Sequence, residues 1–278
     1  MIPFTKAHAC GNDFLIVTEE AAADFNWAEL TRCLCSRNTG IGADGIEFFA
    51  WTGSRSGNKS GRIRLHNADG SIAEISGNGT RCVAAWMAEA VDAKTGDTLE
   101  IETEAGLRLC HVDAVHTGSG YTVEITTGMG VPRFALRTVT IPGGVQVSGM
   151  EVSTGNPHFV IVVDNTEFTV DGQRWQSIGQ QICGHPDFPR QTNVEFVRVL
   201  SLSEIEIRIF ERGVGPTTSS GTGTSASATA LIAQGLVTSP LRVITTGGAQ
   251  TVVWSTPDAE LQLTGPATLI ARGAAWGG

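Results

Sequence analysis

Apolar and polar positions alternate along most of the chain. "TLEIETEAGLRLCHVDAV", "YTVEITTG", "ALRTVTIPGGVQVSGMEV", "VEFVRVL", "EIEIRIF", "LRVITTGGAQTVVW" and "LQLTGPATLIARG" are short β-branched runs with turn signals between them. Such runs predict half-buried strands. Helical spacing is confined to four places. It predicts helices over 27–37, 79–93, 174–184 and 223–235, the last two stopping at Gly184 and Gly235. The class implied is α+β, rich in short strands.

Two of these helices start alike. "ISGNGTRCVAAW" (75–86) and "SSGTGTSASATA" (219–230) both read Ser-Gly-x-Gly-Thr and run into a small-residue helix pattern. Ser220 lies 144 residues after Ser76, and the same offset places Gly11-Asn12 on Gly155-Asn156, Ile63-Arg64 on Ile207-Arg208 and Asn67 on Glu211. One offset that works in several places, in order, marks an internal duplication. The period is too long for a solenoid. Two similar domains related by a pseudo-twofold are expected, 1–118 with a C-terminal strand at 266–278, and 119–265. The join falls in the turn cluster "HTGSGY" (116–121).

The bulk numbers narrow the function. The 278 residues can bury a sizeable core. The 19 basic and 28 acidic residues leave a net charge of −9, which opposes nucleic acid and anionic membrane surfaces as partners. No 18-residue apolar run predicts a membrane span, and the N-terminus lacks a signal-peptide layout. The six scattered cysteines read as reduced thiols of a cytoplasmic protein. "CLC" (33–35) and "CGH" (183–185) lack zinc spacing, and no nucleotide-binding fingerprint is complete.

The chemistry sits in the repeated unit. The first turn of a helix has unpaired N–H groups and a positive dipole end, and glycines let a ligand approach them. Two such turns facing one another would grip one small anion, a substrate carboxylate being the natural guest. Ser76 and Ser220 would then flank one carbon, the layout for moving a proton off one face and onto the other. Serine is a weak choice for that work, because a hydroxyl is a far weaker acid than a thiol.

"GNDF" (11–14), "GIGADG" (40–45), "NADGSIAEISGNGTRC" (67–82), "STGNPHFVIVVD" (153–164), "TNVEFV" (192–197), "ERGVG" (211–215) and "SGTGT" (220–224) closely resemble the diaminopimelate epimerases, over nearly the whole chain. The resemblance implies two mirrored α/β domains with the active site in the cleft between them, and is compatible with a homodimer. It implies an isomerase of lysine biosynthesis that inverts the α-carbon of diaminopimelate without pyridoxal phosphate or any metal. One cysteine acts there as base and another as acid, and they map to Ser76 and Ser220. Asn12, Asn67, Asn156, Asn193, Glu211 and Arg212 are implied to hold the amino and carboxylate groups. The backbone amides of Gly77, Asn78, Gly221 and Thr222 take the α-carboxylate. His158 and Glu211 assist proton transfer, with Ser76 paired to His158 and Ser220 to Glu211, or act as bases themselves. Neighbouring positions depart too: Pro216 stands where the family has Glu, and "TTSS" (217–220) where it has "TLAC". Three readings stay open: an epimerase working through serines, another isomerase or lyase on this fold, and a binder that keeps only the amino-acid grip.

Overall fold

The computed structural model describes residues 1–52, 59–73, 76–118 and 120–277. It divides into two compact units, Met1–Gly128 with Thr264–Gly278, and Met129–Leu263.

The first unit holds β1 (Ile2–Ala9), β2 (Asn12–Thr18), β3 (Gly45–Trp51), β4 (Ser60–Asn67), β5 (Ile72–Ala73), β6 (Thr98–Thr103), β7 (Gly106–His116) and β8 (Tyr121–Gly128). The last strand of the chain, β17 (Gln262–Ala275), joins them. Pairing runs β17–β1–β2–β3–β4–β6–β7–β8, and β8 pairs with β17 again. Thr122–Thr268 and Thr126–Thr264 hydroxyl pairs mark that last seam. The ring is closed, which removes free strand edges. Two of its pairs, β2–β3 and β4–β6, are parallel and need crossovers. Helix α1 (Trp27–Cys35) lies on the first and α2 (Gly77–Ala90) on the second.

The helices occupy different places. α2 touches β1, β2, β3, β6, β7 and β8, so it fills the inside of the ring. Its buried Cys82, Val83, Ala84, Ala85, Met87 and Ala88 are mostly small, as a helix enclosed by strands requires. α1 packs on β3 and β4 from the other face. The pleat of β3 divides the two cores: Ile46 and Phe48 pack with Leu30 and Leu34 of α1, while Phe49 packs with α2.

The second unit repeats the scheme. Its strands are β9 (Arg133–Ile141), β10 (Val145–Ser153), β11 (Pro157–Val162), β12 (Asn193–Ser201), β13 (Glu204–Glu211), β14 (Gly215–Thr217), β15 (Leu241–Thr245) and β16 (Gly248–Val253). The parallel pairs are β11–β12 and β13–β15, crossed by α3 (Trp175–Cys183) and α4 (Gly221–Ala233). α4 touches β10, β11, β12, β13, β15 and β16. The duplication read from the sequence is thus a duplication of fold.

Two boundaries differ from expectation. β7 and β8 both belong to the first unit, so the turn cluster at 116–121 lies inside that unit and the division follows Gly128. α2 and α4 begin at Gly77 and Gly221, not after the second glycine, because the serine before each closes the first turn as its N-cap. Among the described residues no helix is long and apolar enough to cross a membrane, and the six cysteines are free thiols.

Candidate functional site: two matched helix starts

Ser76 and Ser220 are extended, at φ −126°, ψ 118° and φ −148°, ψ 126°. Ser76 Oγ accepts the Gly79 N–H at 3.0 Å, and Ser220 Oγ accepts the Gly223 N–H at 3.1 Å. Each hydroxyl therefore spends an acceptor site on its helix and keeps its proton for donation. Neither first turn carries an acidic residue to offset the dipole. Gly77, Asn78, Gly221 and Thr222 are the residues of those turns, where backbone N–H groups lack helical acceptors. The Gly-Asn pairs before β2 and β11 follow a second shared logic. Gly11 and Gly155 have φ of +81° and +110°, which only glycine adopts without strain, and they aim Asn12 and Asn156 at the helix starts.

In the second unit a chain of hydrogen bonds ends on the serine. His158 Nδ1 lies 2.8 Å from Glu195 Oε1, with both side chains fully buried. His158 Nε2 lies 2.9 Å from Asn156 Oδ1. Asn156 Nδ2 donates to Thr222 Oγ1 at 3.4 Å, and Thr222 Oγ1 is 3.3 Å from Ser220 Oγ. Both ring nitrogens of His158 are thus engaged by side-chain oxygens. Burial pushes the Glu195 carboxyl up and His158 opposes that shift. Asn193 braces the segment: its Nδ2 donates to Pro157 O at 2.9 Å, and its Oδ1 accepts the Arg212 N–H at 2.9 Å. Arg212 also donates to Arg190 O at 3.1 Å. Glu211 is the last residue of β13, paired with Gly215 of β14.

The first unit is wired differently. Asn78 Nδ2 donates to Asn12 Oδ1 at 3.2 Å, and Asn12 Nδ2 donates to Asp44 Oδ2 at 2.6 Å. The chain starts on a cation: Arg81 is completely buried and donates to Asn78 Oδ1 at 2.6 Å and Gly77 O at 3.2 Å. Asn67 serves its own turn, donating to Ser71 Oγ at 3.0 Å. The structure thus brings Asn12 and Asn78 together in one unit, and Asn156, His158, Thr222 and Ser220, with Asn193 and Arg212 beside them, in the other. Within the second unit the polar chain from His158 reaches Ser220 through Asn156 and Thr222.

Sequence reasoning missed the buried glutamates. Glu195 sits under the first turn of α4, where a Cβ on Gly223 would meet its Oε1 at 2.8 Å. Glu47 sits in the same way under α2, where a Cβ on Gly79 would collide with its Oε1. Both are the third residue of their strands, β3 and β12. The clue was the likeness of "IEF" (46–48) to "VEF" (194–196), hidden because the offset there is 148, not 144. Phe14 holds the place in the first unit that His158 holds in the second, opposite the first residue of the parallel neighbour.

A family model described as diaminopimelate epimerase matches residues 4–134 and 150–270. The chain belongs to the diaminopimelate epimerase family. The diaminopimelate epimerase of Halothermothrix orenii is 35% identical over 287 residues, spanning 98% of this chain and 97% of that protein. That of Methanocaldococcus jannaschii is 36% identical over 249 residues, 81% and 82% of the two chains. Among solved structures, a hydroxyproline epimerase from Agrobacterium vitis with bound trans-4-hydroxy-L-proline matches with a TM-score of 0.70. It is 15% identical and the match covers 99% of this chain and 90% of that one, a likeness of fold. Membership in the diaminopimelate epimerase family places the chain among isomerases.

Proposed function

We propose that the protein is a cofactor-independent epimerase of a small α-amino acid, with diaminopimelate the first substrate to test. The observation that carries this reading is the buried Glu195–His158 pair joined through Asn156 and Thr222 to the N-cap Ser220. It places a titratable pair behind a helix start suited to a carboxylate.

The proposed division of labour follows from the chemistry of each group. The amides of Gly77, Asn78, Gly221 and Thr222 take the α-carboxylate. Asn12, Asn67, Asn156, Asn193, Glu211 and Arg212 hold the amino and remaining carboxylate groups. Ser76 and Ser220 act at the α-carbon as hydroxyl relays, because neither ionises alone near neutral pH. A carboxamide neither accepts nor releases a proton at neutral pH, so Asn156 holds His158 without relaying from it. When Asn156 turns to the ligand, Nε2 of His158 is freed to act beside Ser220. Glu211 is the remaining candidate base. Removal of the α-proton by one unit's groups and its return by the other's inverts the centre.

The test is exchange of the α-proton of LL- and meso-diaminopimelate in heavy water, followed by NMR. Exchange with inversion by the unaltered protein supports the reading. Silence from it, with exchange in the Ser76→Cys/Ser220→Cys variant, means that the grip is right and the native chemistry differs. Silence from both rejects diaminopimelate. A second reading, an isomerase or lyase with a single base, is favoured by serines standing at both places where the family has its acid and base cysteines. It would show exchange without inversion.

A further inference from the structure

Arg81 is a completely buried cation for which the proposed chemistry has given no work. Its Nε has no hydrogen-bond partner, and both Nη atoms donate into the first turn of α2. The titratable groups around it are Cys10, Cys82, Cys110 and Glu124. Burial pushes the Cys82 and Cys110 thiols up, so neither is ionised at neutral pH. Glu124 is half-buried on β8, and burial pushes its carboxyl up as well. Burial also works against the guanidinium, which nevertheless stays protonated at neutral pH. A positive charge thus stands behind the start of α2, and among the described residues its hydrogen bonds go to neutral oxygens.

The matching place in the second unit is neutral. Ser225 lies 144 residues after Arg81 and is also completely buried. Its Oγ donates to Gly221 O at 2.9 Å, as Arg81 Nη1 donates to Gly77 O at 3.2 Å. The two acceptors are themselves 144 residues apart. Each acceptor carbonyl shares its peptide group with the N–H of the next residue, Asn78 or Thr222. A donor on the carbonyl polarises that peptide and strengthens its N–H toward an anion. A guanidinium does so with a full charge, a hydroxyl only with a dipole. Arg81 also donates to Asn78 Oδ1 at 2.6 Å, and Asn78 Nδ2 donates to Asn12 Oδ1 at 3.2 Å. The same cation therefore sets the direction of two carboxamides beside the helix start.

We propose that Arg81 gives the site its demand for an ionised α-carboxylate: through the Gly77–Asn78 peptide it makes the first unit's helix start the stronger of the two anion grips. This rests on the reading of the protein as an epimerase of an α-amino acid. Arg81 is completely buried and acts through the peptide and the carboxamide of Asn78, so it is a positioning residue. Its charge lies in a medium that screens poorly and adds to the positive end of α2. An uncharged group of the same shape gains little from it. The ligand class that follows is an amino acid with a free α-carboxylate; α-amides and α-esters are rejected, and the first unit does most of the rejecting.

Arg81→Met removes the charge and keeps an unbranched side chain, and Arg81→Lys keeps the charge. Replacing a buried cation by an apolar side chain relieves its desolvation cost, so Arg81→Met is expected to fold. In calorimetry Arg81→Met should bind meso-diaminopimelate about tenfold or more weaker, and its α-monoamide less than about threefold weaker. Arg81→Lys should restore most of the preference for the acid over the monoamide. Ser225→Ala, the matching change in the second unit, should weaken acid and monoamide alike, by less than about threefold. One measurement needs no variant: in NMR of the unaltered protein, meso-diaminopimelate should move the Asn78 amide proton further downfield than that of Thr222. Equal losses for acid and monoamide in Arg81→Met overturn the role. A Thr222 shift as large as that of Asn78, or larger, overturns it as well. Neither binding nor α-proton exchange of either diaminopimelate stereoisomer by the unaltered protein overturns the epimerase reading, and this role with it, while the other outcomes touch only Arg81.

Discussion

The two units start from one plan and differ in where they keep charge. Both cap a buried helix with serine, place a Gly-Asn turn beside it and bury a glutamate beneath the second glycine. In the second unit the glutamate meets an imidazole and the polar chain leads to Ser220. In the first, the imidazole's place is apolar, the glutamate is unpartnered, and the polar chain is anchored on buried Arg81 and runs toward Asp44. A duplicated scaffold fixes backbone donors in pairs. The titratable groups are set by single side chains, so one exchange, Phe14 against His158, is enough to make the halves chemically unequal.

The largest effect should come from forcing the units to match. His158→Phe gives the second unit the first unit's residue and leaves Glu195 buried without its partner. Breaking such a pair costs about 3–5 kcal/mol, readable in urea unfolding. α-Proton exchange should fall about a hundredfold or more. A loss under 1 kcal/mol would mean that the buried pair is no more than the unpartnered Glu47 already is.

Next in size is the pH dependence of stability. Glu47 has its ordinary value of 4.5 when unfolded and about 8 when folded. Below 4.5 both states hold the proton and the group contributes nothing to the slope. Between 4.5 and 8 the unfolded chain releases it and the native protein keeps it. Stability therefore falls as pH rises through that window, by up to about 1.4 kcal/mol per unit, and levels off above 8. In Glu47→Leu that part of the slope should vanish, as thermal unfolding across the window would show.

Gly79→Ala should cost about 1–3 kcal/mol, because the new Cβ collides with the Glu47 carboxyl and presses on Ser76. In a Glu47→Ala background most of that loss should disappear, and a double-mutant cycle measures the coupling. Gly223→Ala, whose Cβ would meet Glu195 Oε1 at 2.8 Å, should cost less. Smallest is the loss of either cap. Ser76→Ala and Ser220→Ala should each cost about 1 kcal/mol, and nearly the same, since the bonds to Gly79 and Gly223 are 3.0 and 3.1 Å. Unequal losses would show that one serine is held by more than its helix.

Much of this was legible before any coordinates. The doubled Ser-Gly-x-Gly and the 144-residue offset announce the duplication, and the alternation of apolar residues announces the strands. The helix starts expected at 79 and 223 fall two residues late, because Ser76 and Ser220 cap the turns that precede them. The C-terminal strand reads as part of the first domain, but its closing a ring by pairing with both β1 and β8 was not legible, because pairing between residues so far apart leaves no local pattern. Glu47 was hidden for a different reason. It lies in the apolar run "GIEFFAW", where period-two reading takes a single acid for the solvent face. Only the enclosure of α2 shows that both faces of β3 are buried.

The route of β17 also bears on the order in which the protein can be assembled. A ribosome delivers residues 129–263 as one uninterrupted stretch, so the second unit has its whole sequence in hand while the first still lacks Thr264–Ala275. Until that segment emerges, β1 and β8 each present an unpaired edge where β17 belongs. The half of the molecule that is made first is thus the half that is finished last.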